Sequence, residues 1–288
     1  MMWTETVELG GQPFFLRHWG REDAPRLLML HGFPEYSGGW AELAPLLAER
    51  FHCIAPDQRG NGQSWRPAEV ADYRTSLLVG DMVALIGEEP VYLLGHDWGA
   101  SVAYALTMTR PDLIRKLVIL NGVHPLPFQR ALAAGGPQTD ASQYIHYLRA
   151  PGSETQLAAD DFAKLMDLFS AKMDVSWLRG ETLAGYKAAW RDAAGLGAMI
   201  NWYRASPLRL GGPGEALADP PQFDADRMRI TVPHLLVWGT GDTALLPEAL
   251  EGLEALAPDL TRVDIAGADH WLHHQKPREV ARAILDWI

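Results

Sequence analysis

The sequence offers one aspartate in a setting suited to attack. Asp97 is the centre of Gly95-His96-Asp97-Trp98-Gly99, which joins an apolar run at 90–94 to a helical pattern at 100–109. Gly-x-Asp-x-Gly between a strand and a helix has the spacing of a nucleophile elbow. The turn is so tight that its flanking positions must be small, and the central side chain is pushed out at the helix start. An aspartate opening a helix is commonly just its N-cap. Chain order argues for more, because Asp242 and His270 each follow a later strand pattern, giving nucleophile, acid and histidine in sequence. An aspartate is ionised at neutral pH and needs no base to attack. It suits displacement at a saturated carbon and would leave an ester on Asp97. Water must then hydrolyse that ester, with His270 as the base and Asp242 orienting it. The oxyanion formed on Asp97 needs two donors, for which the backbone amides of Phe33 and Trp98 are the candidates. No Ser or Cys occupies the elbow, which argues against an esterase.

These residues need elements to hold them. Short apolar runs at 26–30, 51–55, 90–94, 116–120, 234–238 and 261–265 alternate with helical patterns at 40–50, 76–86, 100–109, 247–256 and 277–288. Two further strands are expected at 4–9 and 14–19, around Gly10-Gly11. Apolar strands alternating with helices predict a mostly parallel, twisted α/β sheet covered on both faces. In such sheets reacting groups gather beyond the carboxyl ends of the strands. Between 124 and 228 the alternation stops and only helical patterns with proline-rich joins remain. The expectation is a core of 1–123 and 229–288 split by a helical lid of 124–228. Within the insertion, Phe162, Leu165, Met166, Phe169 and Met173 fall on one face of a helix at 160–173, a stripe read as core packing.

Composition narrows the partners. The net charge of −11 argues against nucleic acid, which is held by clustered Lys and Arg. No Lys/Arg block suggests a membrane surface, and no stretch approaches the ~18 apolar residues of a membrane span. Met1–Gly10 lacks the apolar region of a signal peptide. Cys53 is the only cysteine, so no intramolecular disulfide forms, which fits a reducing compartment. A soluble, cytoplasmic protein is expected. Gly60-Asn61-Gly62 and Gly239-Thr240-Gly241 do not complete a dinucleotide loop, and no cofactor is called for. His270, His273 and His274 lack the further ligand that a zinc site wants, so no metal is assigned. His96 is read as packing, and His31 and Glu35 as shaping the turn beside Phe33.

The chain resembles the α/β-hydrolase fold superfamily, and within it the epoxide hydrolases. The resemblance rests on His-Gly-Phe-Pro-Glu at 31–35, Asp-Gln-Arg-Gly-Asn-Gly-Gln-Ser at 57–64, Gly-His-Asp-Trp-Gly-Ala at 95–100, Asn-Trp-Tyr-Arg at 201–204, Gly-Thr-Gly-Asp at 239–242 and Asp-His-Trp at 269–271. It spans nearly the whole chain. It implies opening of a small apolar epoxide by water, without a cofactor, to a vicinal diol. It also implies a pair of tyrosines that hold the epoxide oxygen, falling on Tyr203 and Tyr144, with Tyr147 as rival for the second role and otherwise as a pocket residue beside Phe33 and Trp98. A cis Phe33–Pro34 bond is implied as well. Most single tyrosines are half-buried filler; the pairing and the motif raise these two. Haloalkane and haloacetate dehalogenases use the same Asp, His and acid. The haloalkane type resembles this chain at Trp98 but differs at Phe33, and the haloacetate type differs at Trp98 and Tyr144, while Trp177, Trp190 and Trp202 keep halide release open. A non-catalytic binding module of the same fold would be expected to lack one of Asp97, Asp242, His270, Tyr144 and Tyr203, all of which are present.

Overall fold

The computed structural model describes residues 1–170 and 172–288. Eight strands form one sheet in the order β1-β2-β4-β3-β5-β6-β7-β8. They are β1 (Met2–Leu9), β2 (Gln12–Trp19), β3 (Arg26–Leu30), β4 (His52–Pro56), β5 (Val91–His96), β6 (Ile114–Leu120), β7 (His234–Gly239) and β8 (Leu260–Ile265). β1 and β2 pair antiparallel, β2 meets β4 antiparallel, and every later pair is parallel. This is the doubly wound α/β architecture that the alternation of apolar strands and helices predicts.

Side-chain alternation in the central strands separates two cores, one on each face. In β6, Leu117 and Ile119 join the cluster under the elbow helix, and Val118 and Leu120 the opposite one. Leu235 to Trp238 in β7 alternate in the same way. All eight of these side chains are buried, so both faces are dry and the strands read as unbroken apolar runs. Register then aligns the chemistry: Leu30 pairs with Gly95, His96 with Leu120, Leu120 with Val237 and Gly239 with Ile265. The residues that follow these partners therefore emerge along one edge of the sheet.

Two expected helices are shorter than their apolar spacing suggests. At 40–50 the chain makes a 3₁₀ turn, Ser37–Trp40, and one helical turn, Ala44–Leu47, because Pro45 cannot donate an amide within a continuous helix. At 247–256 Gly252, with φ +85°, separates Pro247–Leu250 from Leu253–Leu256. Between Leu120 and His234 the described residues contain no strand. Helix Ser153–Ser170 carries a left-handed turn at Asp160, Asp161 and Phe162, and Met173 lies beyond its end. The inserted helices are pinned to the strand ends by buried indoles: Trp190 donates to the Pro34 carbonyl at 2.7 Å and Trp202 to that of Arg59 at 2.9 Å.

Candidate active site

Helix Trp98–Thr109 starts directly after β5, and Asp97 at the junction has φ +50° and ψ −120°. Its carboxylate makes no capping bond to the helix, so the N-cap explanation for this residue fails. The turn depends on close backbone approach. A Cβ at Gly99 would fall 2.0 Å from the Leu30 carbonyl oxygen, and one at Gly95 2.7 Å from that of Gly99. Gly32 faces Asp97 so tightly that a Cβ there would lie 2.3 Å from Oδ1. The Phe33 amide donates to the same Oδ1 at 2.7 Å, and the Phe33–Pro34 peptide is cis. Trp98 opens the helix, and a first-turn amide has no partner inside its own helix.

His270 Nε2 lies 3.6 Å from Asp97 Oδ2, and its Nδ1 is 2.8 Å from Asp242 Oδ2. Asp242 is fully paired: Oδ2 also accepts from Asn121 Nδ2 at 2.7 Å, and Oδ1 accepts from the amides of Ala244 and Leu245 at 2.8 and 2.9 Å. Asn121, at φ +30°, accepts in turn from the Gly239 amide at 2.6 Å. Burial opposes the charge of Asp242, but the His270 charge and hydrogen bond outweigh it and hold the carboxyl below its ordinary value. Burial likewise disfavours imidazolium at His270. The Asp242 charge and hydrogen bond, then Asp97 and Glu35, reverse this and raise it to about 9.

Tyr203 and Tyr144 face Asp97 across a cavity of about 90 Å³, lined also by Phe33, Leu165, Phe169, Met173 and Trp271. Their rings lie 6.1 Å apart at 80°, and Phe33 meets Tyr203 edge-on at 5.2 Å. Burial, then the charge of Asp97 among other causes, raises both phenols above their ordinary value, so both hold their protons. Tyr203 also packs edge-on against the Trp98 indole, with ring centres 5.0 Å apart at 82°. The stripe at Leu165, Phe169 and Met173 thus lines the cavity as well as packing, which corrects its reading as core alone.

Tyr147 is not brought to the cavity. One turn beyond Tyr144 and about 60° around helix Tyr144–Arg149, its hydroxyl donates to Gln156 at 3.3 Å and Lys164 sits over its ring. The reading of Tyr147 as a pocket residue is therefore corrected. Trp177, Trp190 and Trp202 do not line the cavity either. Cys53 is buried in β4, its thiol pushed up to about 12 by desolvation.

Behind the histidine lies a buried polar group that includes His96, read from sequence as packing, and Glu35, read as shaping the turn beside Phe33. Glu35 is fully buried and its Oε1 accepts from Tyr186 at 2.6 Å, with His274 Nε2 at 2.9 Å and His273 Nε2 at 3.3 Å. Its Oε2 lies 2.9 Å from His96 Nδ1, and His96 Nε2 lies 2.9 Å from the His270 carbonyl oxygen. His96 is therefore a polar link, not packing. Among the described residues, Glu35, His96 and His273 are the group whose potential ligand atoms converge, within 4.8 Å. Hydrogen bonds among them already satisfy the carboxylate. Four segments far apart in sequence contribute, so no local spacing could reveal the group; Asn121 at least carried the signal of a polar residue at a strand end.

A family model described as the alpha/beta hydrolase fold matches residues 25–277. The chain is 35% identical over 274 residues to the AB hydrolase superfamily protein YfhM of Bacillus subtilis, covering 93% of this chain and 92% of the relative. It is 29% identical over 311 residues to epoxide hydrolase A of Mycobacterium tuberculosis, covering 93% of this chain and 92% of that one. The solved epoxide hydrolase of Bacillus megaterium, in complex with an inhibitor, superposes with a TM-score of 0.87 at 26% identity, over 98% of this chain and 99% of that one. With eight strands in one mostly parallel sheet and an aspartate at the elbow, the chain belongs to the α/β-hydrolase fold family.

Proposed function

We propose that the chain is an epoxide hydrolase, with residues 1–123 and 229–288 as catalytic core and 124–228 as lid. The observation that carries this is two protonated phenols, Tyr144 and Tyr203, sharing one cavity with an elbow aspartate and a paired histidine. Asp97 Oδ2 attacks a ring carbon and the C–O bond breaks. The oxygen takes a proton from a tyrosine, leaving a hydroxyalkyl ester. Water then adds to the ester carbonyl carbon and gives its proton to His270. The Phe33 and Trp98 amides hold the oxyanion on Oδ1. Collapse releases the diol, and protons return to its oxygen and to the tyrosine, so the balance is epoxide plus water to diol.

Halide displacement by the same aspartate is the second reading. Against it, the indole N–H groups of Trp190 and Trp202 already donate to carbonyls. Neither substrate requires a charged surface, a cofactor or a nucleic acid. No described helix is long and apolar enough to cross a membrane, and a cytoplasmic setting suits the lone reduced cysteine. The test is His270→Gln, which blocks ester hydrolysis and spares attack. Intact mass after exposure to styrene oxide should rise by one epoxide mass, mapped to Asp97. An adduct with a bromoalkane alone would replace this reading by dehalogenation, and no adduct with either would remove both.

A further inference from the structure

The cavity in front of Asp97 has a smaller counterpart behind it. This rear cavity, about 30 Å³, shares Asp97, Tyr144 and Tyr203 with the front one. Its other walls include Val123, Phe128, Ile145, Leu208 and Leu245, all apolar, and one hydroxyl, Ser101. An oxirane has two carbons. With its oxygen on the tyrosines and one carbon at Asp97, the substituents of the two carbons diverge to the two sides of that line. At 10–15 Å³ per water-sized centre, the rear cavity holds about two heavy atoms.

Ser101 is one helical turn after Asp97 and on the same face. A helical hydroxyl ordinarily closes onto the carbonyl four residues back. Thr107 and Thr109 of this helix do so, onto Ala103 and Ala105 at 2.8 and 2.7 Å. Ser101 makes no such bond and, among the described residues, its hydroxyl meets no partner; it faces the rear cavity instead. Two heavy atoms and a waiting hydroxyl match a CH₂OH group.

We propose that Ser101 recognises a hydroxymethyl group on the oxirane carbon facing the rear cavity, so that the substrate class is 2,3-epoxy alcohols carrying a larger apolar group on the other carbon. This rests on the epoxide hydrolase reading. The test compares trans-3-phenylglycidol with trans-1-phenyl-1-butene oxide, whose ethyl group has the same number of heavy atoms, and uses styrene oxide as reference. Loss of one neutral hydrogen bond is worth about tenfold. Ser101→Ala should therefore shift the kcat/KM ratio of the first two by about tenfold toward the ethyl epoxide. Ser101→Leu, which fills the cavity, should lower kcat/KM for both at least tenfold relative to styrene oxide. An unchanged ratio in the alanine variant overturns the role of Ser101. Failure of the wild type to consume any of the three, styrene oxide included, is the separate result that overturns the underlying epoxide reading, and this inference with it.

Discussion

The Phe33 amide holds Asp97 Oδ1 at 2.7 Å, while Oδ2 points toward His270 Nε2 at 3.6 Å. The two oxygens of one carboxylate therefore have different fates. Oδ1 is already where an oxyanion would be stabilised, so Oδ2 is the one free to attack. Water attacking the ester carbonyl carbon then places its oxygen on Asp97, and the attacking oxygen leaves in the diol. A single turnover with excess enzyme in ¹⁸O-water should give unlabelled diol and a labelled Asp97 peptide. Label in the first-turnover diol would mean that water opens the epoxide directly.

His270 is raised to about 9 partly by the negative charge of Asp97. Alkylation removes that charge while leaving Asp242 in place. The histidine of the ester should therefore titrate lower than that of the free enzyme, which is what a base needs at neutral pH. Single-turnover rates of ester hydrolysis should rise with pH along a limb below 9, while ¹⁵N shifts of the free enzyme report His270 near 9. Coincident values would refute the charge argument. For folding the sign is opposite to a carboxylate: the raised value adds stability that is complete below 6.5 and is lost as pH rises through about 9.

If Tyr144 and Tyr203 both hold the leaving oxygen, as proposed, the effects of removing them should more than add. Either single phenylalanine variant should lower the alkylation rate about 10²-fold, within the range for a positioned acid. The double variant should lose far more than either single one, because one phenol can still hold the oxygen but none cannot. Stopped-flow quenching of tryptophan fluorescence would follow alkylation. If the double variant loses no more than a single one, the pair does not share the leaving oxygen.

The elements that carry Asp97 and Asp242 were legible because β5 and β7 are buried on both faces and so read as apolar runs, while His270 follows β8, an edge strand whose apolar positions alternate with the exposed Arg262 and Asp264. The two tyrosines lie in the insertion, where helical spacing alone distinguishes no residue, and only a motif pointed to them. Spacing also fails to tell Tyr144 from Tyr147, since both lie near one face of a short helix; the contact of Tyr147 with Gln156 decides it. The Glu35 network was hidden for another reason. Glu35, His96, Tyr186, His273 and His274 meet only after the helices between β6 and β7 and the sheet edge come together.

Two glycines at the site separate local from global damage. The Cβ of Gly32→Ala would press on Asp97, 2.3 Å from Oδ1 and 2.4 Å from its Cβ, so it would displace the elbow residue itself, whereas that of Gly99→Ala would press on the Leu30 carbonyl in the central sheet. A displaced carboxylate loses the Phe33 amide, and removing one oxyanion donor costs about 10²–10³-fold in rate. Gly32→Ala should therefore shift the elbow and lose ester hydrolysis by at least that factor. Gly99→Ala should instead lose about 1–3 kcal/mol of stability, as overpacking of a rigid interior does. Urea unfolding followed by circular dichroism, beside single-turnover assays, separates the two. If Gly32→Ala hydrolyses the ester at the wild-type rate, the Phe33 amide does not hold the oxyanion.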